Sequence, residues 1–104
     1  VHAGLWDAIK ARLVLGENIA QAAQFATAGG SQGGIIALSL AKAPEVAKLG
    51  NYALIPDSWH EPLLQRMVLM RNASAETEAF YRYVQSPQAR AIFRKFGFVL
   101  PDEQ

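Results

Sequence analysis

Leu13-Val14-Leu15-Gly16-Glu17-Asn18-Ile19-Ala20-Gln21-Ala22-Ala23 is the stretch whose reading decides the fold. An apolar run ends at Gly16, and a helical pattern starts two or three residues later. Leu13–Leu15 reads as a buried strand. Asn18 is a favoured helix N-cap, with Gln21 three residues on as in a capping box. The helix so opened carries Ile19, Ala22, Ala23 and Phe25 or Ala26 on its apolar face, and Gly29-Gly30 ends it. A strand running into a helix start leaves open backbone N–H groups at the positive end of the helix dipole, which suits an anion. No Lys or Arg lies between Gly16 and Lys42, so an anion there would be held by neutral donors. The same junction occurs in nearly every αβ unit, and most such junctions bind nothing.

Composition bounds the rest. The chain has 104 residues, the size of one ordinary domain or part of a larger one. It is 51% hydrophobic and 18% charged, which excludes a disordered chain. A net charge of +1 with scattered cations argues against nucleic acid as a partner. No apolar run approaches the length of a membrane span, and no signal peptide is present. The absence of cysteine excludes disulfides and thiolate metal sites. Val1 is not an initiator methionine, which points to a processed form or a piece of a longer chain.

Outward from the decisive stretch, Gly4–Arg12 reads as the end of a helix, with Trp6 in the core and His2 solvated. Ala28–Gly34 is a glycine-rich loop without the Lys-Ser/Thr of a P-loop or the spacing of a dinucleotide turn. Gly34–Leu40 is a nearly continuous apolar run, as a doubly covered parallel strand requires. Residues 13–40 therefore read as a right-handed βαβ unit. Ala41–Gly50 is irregular or briefly helical, with Pro44 at a first helical position. Tyr52–Pro56 and Leu63–Met70 read as further strands. The loop between them holds Asp57, His60 and Glu61, whose spacing fits no tetrahedral metal site.

The last third opens on Ser74, an N-cap with Glu76 in the first turn. Ala79, Phe80, Tyr83 and Val84 share one face. Ser86-Pro87 starts a second helix lined by Ala89, Ile92, Phe93 and Phe96, closed by Gly97. Phe98–Pro101 reads as a short strand or packed tail. No nucleophile elbow or carboxylate pair surrounds Ser39 or His60, so no enzyme is indicated.

The run from Leu13 to Phe25 resembles the periplasmic molybdate-binding proteins of ABC importers. So do Gly34–Ser39, Tyr52–Pro56, Phe80–Val84, Ser86–Ala89, Ile92-Phe93 and Phe96–Phe98, all in one register. The resemblance implies an α/β fold of the type II periplasmic binding-protein kind, here a C-terminal fragment with parts of both lobes. Residues 1–62 would form part of the second lobe, 63–70 a crossing strand, and 71–104 C-terminal helices that pack on the first lobe. It also implies a periplasmic location, a membrane permease as partner, and molybdate or tungstate as ligand. The molybdenum is bound as an oxyanion, with no separate metal ligand and no cofactor.

By the same resemblance, the oxyanion site takes in Asn18 and Ile19, with the Ile19 backbone N–H as donor. A tyrosine common in the family falls on Ala37, which has no hydroxyl, and Ser39 is a nearby substitute. The family's amino-terminal half, with its serine donors, is absent. The exposed faces of the last two helices imply that the fragment self-associates, face to face or by swapping the segment after Leu63. A ligand-sensing α/β domain of a transcription regulator is the alternative, distinguishable by a helix-turn-helix upstream.

Overall fold

The caps written into the sequence are the caps that form. The computed structural model describes residues 2–103, and its regular structure is entirely helical. In chain order the α-helices are α1 (Trp6–Ile9), α2 (Ile19–Thr27), α3 (Leu38–Ala41), α4 (Pro44–Ala47), α5 (Ala75–Val84) and α6 (Pro87–Lys95). Short 3-10 turns cover Lys10–Arg12, Asp57–Trp59 and Pro101–Glu103. The chain divides into two units, Val1–Glu61 and Pro62–Gln104. No helix among the described residues is long and apolar enough to cross a membrane.

The α/β expectation is corrected here, and with it the type II binding-protein-like sheet and the right-handed βαβ unit. Among the described residues there is no β-strand. Leu13–Leu15, Tyr52–Pro56, Leu63–Met70 and Phe98–Leu100 carry no ladder pairing. Leu38–Leu40, read as the end of a strand, instead belong with Ala41 to a helical turn, with the Leu40 and Ala41 N–H groups donating to the Ala37 carbonyl at 3.0 and 3.1 Å. The physical reason is that a strand exists only through hydrogen bonds to a neighbour. An apolar run announces burial, not pairing. These runs are not even buried: Leu15 is 84% and Ile35 79% exposed, where a parallel strand would be covered on both faces.

In the first unit, α2 is the longest helix. Its Ala23 and α3's Ala41 are buried, and Leu40 and Val46 line the same shallow hollow as Ala20 and Ala23. Pro44 occupies the first turn of α4, where its missing N–H costs nothing. Trp6, expected in the core, is about half exposed, and the rings of His2 and Trp59 lie 5.0 Å apart.

In the second unit, the Ser74 hydroxyl accepts from the Thr77 N–H at 3.3 Å and the Ser86 hydroxyl from the Ala89 N–H at 3.3 Å. Pro87 fills the first turn of α6. Helix α6 ends in a full Schellman motif. The Phe98 N–H donates to the Phe93 carbonyl at 3.0 Å and the Gly97 N–H to the Arg94 carbonyl at 2.9 Å. Gly97 makes this possible at φ +82°, a conformation that costs an L-residue roughly 1–2 kcal/mol. Phe93 and Phe98 then meet edge to face at 5.6 Å.

The final 3-10 turn is tied to α6 by two ion pairs, Arg90 with Asp102 and Arg94 with Glu103. The Arg90 hydrogen bond holds the Asp102 carboxyl below its ordinary range, and the Arg94 hydrogen bond does the same for Glu103. A carboxylate lowered in the folded state contributes stability above its unfolded pKa and loses it as pH falls through the folded value. The tie should therefore hold at neutral pH and release only in acid, below the usual carboxylate range. Amide exchange of the Glu103 N–H, which donates to the Leu100 carbonyl at 2.9 Å, measures this. Exchange unchanged between neutral pH and acid, after correction for the intrinsic rate, would contradict it.

Among the described residues the buried apolar ones are three alanines, Ala23, Ala41 and Ala89. The accessible surface is 9214 Å² for 11.3 kDa. Two separately compact units of these lengths would expose only about 7,000 Å². The excess is apolar in large part, because leucines, isoleucines, valines and aromatics along both units stand open to solvent.

Candidate functional site

The start of α2 is built by local chemistry. Asn18 is extended (φ −151°, ψ 171°), and its side-chain oxygen accepts from the Gln21 N–H at 2.9 Å. The Gln21 side chain returns the bond, its oxygen accepting from the Glu17 N–H at 2.6 Å. This is a capping box displaced by one residue, since the return bond reaches Glu17 rather than the cap itself. The backbone N–H groups of Asn18, Ile19 and Ala20 make no hydrogen bond among the described residues. Three consecutive donors are thus open at the positive end of a nine-residue helix.

Gly16 sets the approach of the chain to this helix. A Cβ at Gly16 would lie 2.6 Å from the Ala22 nitrogen and 3.0 Å from the Asn18 carbonyl oxygen. Both are backbone atoms that cannot rotate away, so only glycine lets the segment 13–16 pass this close to the first turn of α2.

The other two expected residues sit elsewhere on the framework. Ala37 is the N-cap of α3 and Ser39 lies in its first turn, both half-buried. The Ser39 hydroxyl makes no hydrogen bond among the described residues. Two shallow hollows of this unit, about 200 and 250 Å³, are lined by Ala20, Ala23, Gln24, Thr27, Leu40 and Val46, and by Val14, Phe25, Ala28, Gly30 and Ser31. Asn18, Ile19, Ala37 and Ser39 line neither of them. The structure therefore presents Asn18 and Ile19 as an open, solvent-facing donor row, with Ile19 itself 55% exposed, and not as one wall of a closed pocket.

Ala20 is the donor that sequence reading passed over. The signal was available, because any N-cap leaves the first helical N–H groups unpartnered. His60, set aside as a metal ligand, has Nδ1 2.8 Å from the Glu61 carbonyl oxygen and Nε2 4.0 Å from a carboxylate oxygen of solvent-facing Asp57.

The chain belongs to the family of bacterial extracellular solute-binding proteins, which matches residues 1–99. It is 30% identical over 98 residues to the molybdate-binding protein ModA of Rhodobacter capsulatus, covering 92% of this chain and 38% of that protein. Identity to the molybdate-binding protein ModA of Azotobacter vinelandii is 30% over 99 residues, with 93% and 39% covered. A putative ABC transporter substrate-binding lipoprotein, YvgL of Bacillus subtilis, is 26% identical over 96 residues, with 90% and 36% covered. The chain thus spans less than two fifths of the length of these relatives. No solved structure matches it. These relatives are named as binding proteins, and none of the three as an enzyme or a regulator.

Proposed function

We propose that a protein carrying this chain captures molybdate or tungstate in the periplasm and delivers it to the membrane permease of an ABC importer. The observation that supports this most is the similarity to two molybdate-binding proteins along a chain whose α2 start leaves the Asn18, Ile19 and Ala20 N–H groups open. A tetrahedral dianion needs several donors converging from different directions. Neutral N–H and O–H groups supply them without drawing in other charged ligands, and no Lys or Arg occurs in residues 17–41.

In this reading the Ile19 N–H donates to an oxyanion oxygen, flanked by the N–H groups of Asn18 and Ala20. The Ser39 hydroxyl is a further donor, and Ala37 contributes only backbone. The permease partner follows from the ABC transporter assignment of the Bacillus relative. Calorimetry on a protein of the relatives' full length that carries this chain tests the proposal. Saturable heat with molybdate and tungstate is expected. Silence with both, alongside clear binding of an amino acid or a sugar, would overturn it.

A further inference from the structure

We propose that Gly34 is a positioning residue of the oxyanion site: its bare backbone seats α2 so that the Asn18, Ile19 and Ala20 N–H groups are aimed at the ion. This deepens the ligand reading above and rests on it. A Cβ at Gly34 would lie 2.6 Å from the Ala26 Cβ, 3.5 Å from the Ala26 Cα and 4.0 Å from the Ala22 carbonyl oxygen. Gly34 is not among the glycines of positive φ, so space alone excludes a side chain there. At Gly29, Gly30 and Gly33 of the same loop, a Cβ would meet nothing within 4 Å. Contact with α2 therefore sets the glycine at 34, and the turn does not.

Bare backbone thus meets α2 at two places one turn apart, Gly16 at Ala22 and Gly34 at Ala26. Both alanines are half-buried. The loop has little room to retreat from the helix. At one end the Ser31 hydroxyl ties it to the Phe25 carbonyl at 3.1 Å, and at the other α3 begins at Leu38. Leu40 of α3 lines the same hollow as Ala20 and Ala23 of α2. All of these contacts close within residues 16–40, over short stretches of one unit. A longer protein built around this chain keeps them. A Cβ at 34 has to widen the 2.6 Å approach to an ordinary contact of 3.4–4 Å, a shift of about 1 Å. Helix α2 has nine residues, and the Ile19 N–H lies about 10 Å along its axis from Ala26. A short helix moves as a rod, so the shift reaches the donors. An N–H···O bond keeps its ordinary length over a range of only about 0.5 Å.

Calorimetry with sodium molybdate, on a protein of the relatives' full length that carries this chain, tests the role. Gly34→Ala should weaken binding by roughly tenfold or more, in line with what a 1 Å misplacement costs. Adding Ala26→Gly removes the blocking methyl, and this swapped pair should bind within about threefold of the unsubstituted protein. A role confined to stability would leave the Ile19 donor as effective as before. If Gly34 acts through α2, Ile19→Pro should cost at most about threefold beside Gly34→Ala, and its full cost again in the swapped pair. Where Gly34→Ala alone does not fold, the swapped pair with and without Ile19→Pro decides by the same limits. A smaller loss from Gly34→Ala, an undiminished Ile19→Pro cost beside it, or a swapped pair that stays weak would each overturn the positioning role. None of these would touch the ligand reading, because molybdate would still bind. Absence of molybdate binding by the unsubstituted protein would overturn both.

Discussion

Titration of molybdate into the 104-residue chain by itself should give no binding at micromolar concentration. The start of α2 offers three open N–H groups on one exposed surface. A hydrogen bond to a charged acceptor contributes about 1.5–3 kcal/mol net, so three contribute roughly 4.5–9 kcal/mol. Immobilising a small ion against them costs an estimated 4–15 kcal/mol. The two nearly cancel, and water keeps access to the remaining oxygens. Preorganised donors gain their strength where water is excluded, and Asn18, Ile19, Ala37 and Ser39 line neither of the two hollows described above. A micromolar dissociation constant measured on this chain by calorimetry would show that these residues close around the ion in solution.

In a binding-competent protein of full length, Ile19→Pro should weaken molybdate binding by about 1.5–3 kcal/mol, roughly ten- to 150-fold. Ile19→Ala should change affinity little, because the proposed donor is the backbone and the side chain faces solvent. The pair of variants is clean for structural reasons. Ile19 is the first residue of α2, where proline is favoured and its N–H carries no intrahelical bond. A proline also demands an extended residue before it, and Asn18 is already extended. The helix should therefore start normally in both variants, which far-ultraviolet circular dichroism checks. Equal affinities for the proline and alanine variants would remove Ile19 from the site.

These expectations rest on features that short-range chemistry dictates. Asn18, Ser74 and Ser86 cap helices because a side-chain oxygen two or three residues from an orphan N–H needs no help from the rest of the chain. Pro44 and Pro87 begin helices, and Gly97 ends one, for equally local reasons. That is also why the donor row at Asn18 and Ile19 was legible: it follows from a cap and the helix after it. The resemblance carried by the order of motifs likewise agreed with the family and with the molybdate-binding relatives.

Strand pairing was a different kind of question. Leu13–Leu15, Ile35-Ile36, Tyr52–Pro56 and Leu63–Met70 are apolar enough for a sheet, but a ladder needs a second backbone at hydrogen-bonding distance. No local pattern can supply one. The same holds for the site. Sequence placed Ala37 and Ser39 in a strand beside the ligand, whereas the structure puts them at the start of a four-residue helix, α3. The sequence by itself determined where helices begin and end and which donors they leave open. Only tertiary structure decided whether the apolar runs pair and whether the open donors face a partner wall, because both depend on what lies across space.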